Sequence, residues 1–208
     1  MTVGTADKGG RDLRQALIDA ASALLREPRP TPAPSLRAVA RACGVSATAV
    51  YLHFDSWTAL IEAVLEQHFT EARDRAEAAI EAATGPRNRL DAFAQTYVDW
   101  ALAHPGPYQL VFESVDWLKE TDAVRTWMED RTAAMAQDLR AADPTADEAD
   151  TLERAEQLWT ALHGIISGRC RQGRHVWRQS VTDEVASMVT IFAGARRTDR
   201  GGGQPPAA

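Results

Sequence analysis

The 208-residue sequence predicts an all-α fold of about nine helices, and three observations carry that expectation. Apolar residues recur at helical spacing along almost the whole chain. No run of β-branched or aromatic residues is bounded by turn pairs, and no Asn-Gly or Asp-Gly hairpin occurs. Proline and glycine clusters instead cut the chain into pieces of helix length.

Leu13, Leu17, Ala20 and Leu24 share one face of a helix over 11–26, which the four prolines of 27–34 end. Ser35 is the residue type that caps a short helix 36–43, and Gly44 the type that ends it left-handed. Ser46 precedes a second short helix, 47–53. Ser56 precedes a long one, 57–83, with Leu60, Val64 and Phe69 as early apolar positions. Gly85-Pro86 breaks the chain before 87–103, which bears Leu90, Phe93, Tyr97 and Trp100. His104-Pro105-Gly106-Pro107 breaks it again before 108–118. Helix 121–141 carries Val124, Trp127, Met128, Met135 and Leu139, and helix 145–172 carries Leu152, Ala155, Trp159, Leu162 and Ile166. The last, 181–195, shows Val185, Met188, Val189 and Phe192. The ends, 1–10 and 198–208, have the composition of disordered tails.

Hydrophobic residues make up 45% of the chain and charged residues 25%, the balance of an ordinary globular protein. That excludes a collagen-like chain, a wholly disordered one and a disulfide scaffold. No stretch approaches about 18 consecutive apolar residues, so no transmembrane helix and no membrane partner are expected. The opening MTVGTADKGGRDLRQ lacks an apolar core, so the expectation is no signal peptide and a cytoplasmic protein. Cys43 and Cys170 read as free thiols. A net charge of −6 argues against a surface that coats nucleic acid throughout, but the charge is unevenly placed. Residues 1–60 carry seven basic and five acidic groups, against 16 and 24 in the remainder. A slightly basic head precedes an acidic body.

Residues 36–54, LRAVARACGVSATAVYLHF, hold the most specific pattern. Two short helices joined by a tight turn cross steeply, which requires a small residue at the crossing, a residue tolerant of positive φ in the turn, and a branched apolar residue facing inward. Ala40, Gly44 and Val50 stand at those positions, with Leu36, Val39 and Val45 completing a small core. This is helix-turn-helix spacing, in which the second helix enters the DNA major groove. Arg37 is placed to meet a phosphate or a guanine edge. Ser46 opens the second helix, and Ala47, Thr48 and Ala49 at its tip permit close approach to base edges. Tyr51 and His53 have the chemistry of phosphate donors, although Tyr51 covering the small core and His53 capping the helix end are open alternatives.

The segment RAVARACGVSATAVYLHFDSWTALIEAV resembles the DNA-binding domain of the tetracycline-repressor (TetR/AcrR) family of bacterial regulators. The ACGVS turn, the Y-x-H-F motif and the following S-x-x-x-L are the most specific parts of the likeness. Further on, HPGPYQLVFE at 104–113 and LWTALHGIISG at 158–168 resemble the C-terminal domain of a subgroup marked by a Trp, His, Gly cluster, here Trp159, His163 and Gly164. The resemblance implies an N-terminal helix-turn-helix domain over 11–60 and a helical ligand-binding and dimerisation domain over 61–197. It implies a homodimeric repressor, released from a near-palindromic double-stranded DNA operator by a small molecule. Arg37, Thr48, Tyr51 and His53 match positions that touch DNA in such proteins. Trp57 stands where family members usually place a phosphate-binding Lys, and its indole N–H donates only one neutral hydrogen bond.

In the body, Tyr97, Trp100, Tyr108, Phe112, Trp127 and Trp159 serve either as core or as the lining of a mostly apolar pocket. His163 either orients a polar group of a ligand or bonds a neighbouring carbonyl. Ile166, Val185, Val189 and Phe192, on the last two long helices, are candidates for a dimer interface built as a four-helix bundle, though each also fits the protomer core. No P-loop, no GxGxxG and no HExxH is present, and the five histidines form no cluster in sequence, so no cofactor, no metal and no enzyme activity are expected. An activator on the same fold, or a helical ligand-binding or scaffold protein that no longer binds DNA, are the alternative readings.

Overall fold

The computed structural model describes residues 6–25, 35–112, 122–171 and 176–194. Among them are nine α-helices and no strand: α1 (Ala6–Leu24), α2 (Leu36–Ala42), α3 (Ala47–Tyr51), α4 (Trp57–Ala82), α5 (Pro86–Ala103), α6 (Pro105–Phe112), α7 (Asp122–Ala142), α8 (Glu148–Arg171) and α9 (Val181–Gly194). The all-α class and the helix count agree with the sequence expectation. The tail residues 1–5 and 198–208 and the proline-rich linker lie outside the described residues.

Three starts differ from expectation, each for a local reason. Helix α1 begins at Ala6, inside the expected tail, because adding a residue to an existing helix gains a hydrogen bond without a new nucleus. Helix α6 begins at Pro105 instead of 108, since prolines in a first turn give up only N–H groups that have no partner within the helix. Of the expected 113–118 portion nothing is described. Helix α8 begins at Glu148, not 145, because the Asp147 carboxylate accepts from the Asp150 N–H at 2.7 Å and sets the cap there.

Two apolar clusters organise the chain. The first is built by α1, α2, α3 and the N-terminal half of α4, with Leu17, Ile18, Ala21, Val39, Ala40, Val50, Phe54, Leu60 and Val64 buried. The second is built by α5, α7, α8 and α9 with the C-terminal half of α4, and it centres on Phe93, Tyr97, Leu139, Leu158, Leu162 and Ile166. Two elements belong to both. Helix α4 gives Leu60 and Val64 to the first cluster and Ala72 and Ala76 to the second. Helix α6 gives Leu110 to the first and Tyr108 to the second.

A close approach fixes α6 against the end of α1. A Cβ placed on Gly106 would fall on the backbone carbonyl of Leu25, so only glycine admits this contact. A polar contact ties α1 to α4 as well, with Ser22 Oγ 2.7 Å from His68 Nε2. At the far end of the body, Arg154 is buried and donates to the Phe192 carbonyl through Nε at 2.8 Å, while Nη1 lies 3.4 Å from Asp150. That bond holds the C-terminal turn of α9 on α8.

Candidate functional site

The unit α2–turn–α3 is defined by its caps. Ser35 accepts from the Ala38 N–H at 3.3 Å and Ser46 from the Ala49 N–H at 3.2 Å, so each short helix has one of its orphan donors satisfied by a side chain. Ser56 does the same for α4, accepting from Ala59 at 3.0 Å. Between α2 and α3 the chain turns on Gly44 at φ +67°. The Gly44 N–H donates to Arg41 O at 3.2 Å and the Val45 N–H to Ala40 O at 3.0 Å, the paired bonds of a Schellman ending. Nothing lies within 4 Å of a Cβ built on Gly44, so backbone conformation alone selects glycine there.

These constraints turn one side of the unit inward and the other outward. Val39, Ala40 and Val50 are buried, with Leu36, Cys43 and Val45 packed against them. Arg37, Arg41, Ser46 and Thr48 are exposed, and Ala47 and Ala49 are half-buried. Tyr51 is 55% exposed, so it projects outward and does not cover the small core. His53 is half-buried. Trp57, the DNA-contact candidate at the start of α4, is half-buried and packs against the first cluster. A large apolar ring at the first position of α4 gains more by burial than by offering one N–H to solvent. Sequence reading missed Leu52, 81% exposed directly after Tyr51, and Arg41, exposed in the last turn of α2. The outward side therefore presents cationic, hydroxyl and small residues around one helix tip, the chemistry needed for phosphate contact and for approach to base edges.

A second constellation lies in the body. His163 on α8 has both ring nitrogens near phenols, with Nδ1 2.7 Å from Tyr108 Oη and Nε2 3.3 Å from Tyr97 Oη. Around it stand Phe112 at 4.9 Å and Trp159 at 5.0 Å between ring centroids. Trp159 stacks on Tyr97 at 4.9 Å, and Trp127 meets Trp159 edge to face at 6.2 Å. Tyr97, Trp100 and Tyr108 are almost wholly buried, while Phe112, Trp127, Trp159 and His163 are partly open. Burial, then the neighbouring Tyr108, holds the Tyr97 phenol well above its ordinary range, so it stays a neutral donor and acceptor. The sequence candidates for a ligand site thus gather around one polar centre with aromatic walls, with Trp100 on its far side, stacked on Tyr97 at 6.2 Å and facing His104 at 5.8 Å.

The interface candidates do not all point outward. Ile166, Val185 and Val189 are buried in the protomer's own second cluster, and Phe192 packs against it. Their helical stripe faces inward because α9 lies across both α5 and α8 and consumes it. Among the residues that α8 and α9 leave exposed are Leu152 (43%), Thr160 and Gly164 beside the charged Glu153 and Glu156 on one helix, and Ala186, Thr190 and Ile191 (53%) on the other.

Comparison with known proteins agrees with both halves. Residues 17–64 match the bacterial regulatory proteins of the tetR family, and residues 90–192 match a tetracyclin repressor-like C-terminal domain. No curated protein matches the chain in sequence. Among solved structures, a protein of unknown function from Rhodococcus sp. RHA1 is 26% identical with a TM-score of 0.71, over 88% of this chain and 94% of that one. A TetR-like transcriptional regulator from the same organism is 17% identical with a TM-score of 0.69, over 88% and 95%. A tetR-family transcriptional regulator from Streptomyces coelicolor is 21% identical with a TM-score of 0.64, over 88% and 80%. The last two share the fold. No described helix is long and apolar enough to cross a membrane. With a capped helix-turn-helix at its head and a matching helical body, the chain belongs to the tetR family of bacterial regulatory proteins and is a DNA-binding transcriptional regulator.

Proposed function

We propose that the protein is a homodimeric repressor that binds a near-palindromic DNA site and leaves it when a small, largely apolar ligand with one polar group enters the body. The observation that carries this reading is the shared helix α6. Its Tyr108 bonds His163, and its Leu110, two residues on, is buried in the head cluster. A ligand that takes over the Tyr108–His163 hydrogen bond moves the element on which the head rests. It shifts the equilibrium by its difference in affinity between the DNA-competent and released conformations.

One five-residue recognition helix reads few base pairs, so two heads dock about 34–36 Å apart on one duplex. Arg37, Arg41, Thr48 and Tyr51 contact the duplex, with Ser46, Ala47 and Ala49 at the closest approach and His53 at the phosphate edge. Leu52 adds an apolar contact of the kind that suits a thymine methyl. A second copy packs on the outward faces of α8 and α9, where the small residues Thr160, Gly164, Ala186 and Thr190 permit close helix approach.

Fluorescence anisotropy with DNA from upstream of the protein's own gene tests the reading. Two protomers per duplex are expected. Arg37→Ala should weaken binding by about 1–3 kcal/mol at one base pair of the site, and Tyr51→Phe should weaken binding to all sequences alike. If both variants bind with parental affinity, the docking is wrong. His163→Ala separates sensing from support: near-normal DNA binding that no longer responds to ligand supports the first, whereas a lower melting temperature with weaker DNA binding supports only the second.

A further inference from the structure

Away from both sites described above, three side chains distant in sequence come together where α4 passes the corner between α5 and α6. His68 and Glu71 lie one turn apart on α4, and His104 closes α5. One ligand atom from each falls within 4.8 Å of the others, and the two imidazole rings are 4.8 Å apart between centroids. Sequence reading found no such cluster because no spacing motif joins the two histidines.

The hydrogen bonds leave one nitrogen on each ring uncommitted. His104 Nδ1 is 2.9 Å from the Trp100 carbonyl, which can only accept, so Nδ1 carries the proton and Nε2 is left over. His68 Nε2 is bonded to Ser22 Oγ, and His68 Nδ1 is buried without a partner. His68 itself is only 7% exposed, and buried polar atoms of this kind are ordinarily satisfied. Each ring therefore has one nitrogen held by an outer hydrogen bond and the other left for a ligand, as in metal-binding histidines.

We propose that His68, Glu71 and His104 form a binding site for a zinc-class divalent transition metal that joins α4 to the α5–α6 corner. Two imidazoles and a carboxylate suit a borderline dication, whereas magnesium and calcium favour oxygen throughout. Three protein ligands leave a fourth position for water. Metal–ligand bonds of about 2.0–2.2 Å require ligand atoms about 3.3–3.5 Å apart, so the group must draw in by up to about 1.5 Å. Glu71 supplies that movement with a flexible, half-buried side chain that exchanges its 2.7 Å ion pair to Arg75 for the metal, while Ser22 holds His68 in place. The outer shell reaches the head through Ser22 on α1, and the corner itself abuts α1 at Gly106. The ion therefore clamps the joint between head and body. This site stands or falls independently of the His163 cluster.

The test titrates metal-free full-length protein with Co2+ under visible absorption, followed by displacement with Zn2+. One equivalent per protomer is expected, with the bands of a four-coordinate nitrogen and oxygen site and without thiolate charge-transfer bands from Cys43 or Cys170. Ser22→Ala should weaken Zn2+ binding by about 10–100-fold as an outer-shell loss, and His104→Gln and Glu71→Gln should weaken it further. Glu66→Gln, exposed on α4, should leave it unchanged. Zn2+ should also raise the melting temperature of the parent and not that of His104→Gln, a readout that holds even if the variant is less stable. Absence of stoichiometric Co2+ binding, appearance of thiolate bands, or parental affinity in both His104→Gln and Glu71→Gln would overturn the proposal.

Discussion

Replacing Gly106 by alanine tests the joint between head and body most directly. The added methyl would meet the Leu25 carbonyl group, its carbon centre 2.7 Å from the carbonyl carbon. Carbon atoms rest at about 3.5–4.0 Å and the Leu25 oxygen lies nearer still, so α6 and the end of α1 must separate by at least about 1 Å. A gap of that size forfeits a quarter to a half of each contact's dispersion well. It would do so around Leu110, which is 1% exposed among the head residues. Overpacking at such sites costs about 1–3 kcal/mol. In a chain of this length each kcal/mol lowers Tm by about 2–4 °C. Thermal unfolding followed by circular dichroism measures the loss, and DNA binding measured beside it shows whether the head has shifted. A Tm within a degree of the parent would refute the claim that this contact is close and rigid.

The remaining expectations concern the turn, the buried arginine and the buried histidine. Gly44→Ala meets no atom, so its cost is the left-handed backbone alone, about 1–2 kcal/mol in urea unfolding. Gly44→Asn should recover part of it, and equal midpoints for the two variants would reject this account. Arg154→Met strips the counter-charge from Asp150, itself 8% exposed, and the donor from Phe192 O, so about 3–5 kcal/mol should be lost. A loss below 1 kcal/mol would show that the pair is not desolvated. For His68, burial and then His104 lower the folded pKa, so in the window below about pH 6.5 the unfolded chain binds more protons than the folded one. Stability measured in EDTA should therefore fall as pH drops through that window, with Glu71 the one facing group that opposes the shift. His68→Gln should flatten the slope, and an unchanged slope would assign it to other groups.

What is local was legible. The helix-turn-helix depends on side chains that act within a few residues: Ser35 and Ser46 as caps, Gly44 in the turn, Val50 facing inward. The aromatic body could be read too, in that Tyr97, Tyr108, Phe112, Trp159 and His163 share a helical register with their core stripes. Their convergence on His163 depends on how three helices pack, and no spacing records that. The prolines of His104–Pro107 misled because they end one helix and begin the next with the same residues.

By itself the sequence determined the helices, their caps and the turn that presents α3, because these follow from a 3.6-residue period and from hydrogen bonds spanning at most a turn or two. Periodicity says that a stripe will be buried but not what will bury it. Only the tertiary structure decided that Ile166, Val185 and Val189 pack within the protomer, that Trp57 lies down on the head, and that His68 meets His104. Each of these pairings joins residues whose separation along the chain carries no geometric signal, and each is selected by which apolar faces fit once all the helices compete for the same two cores.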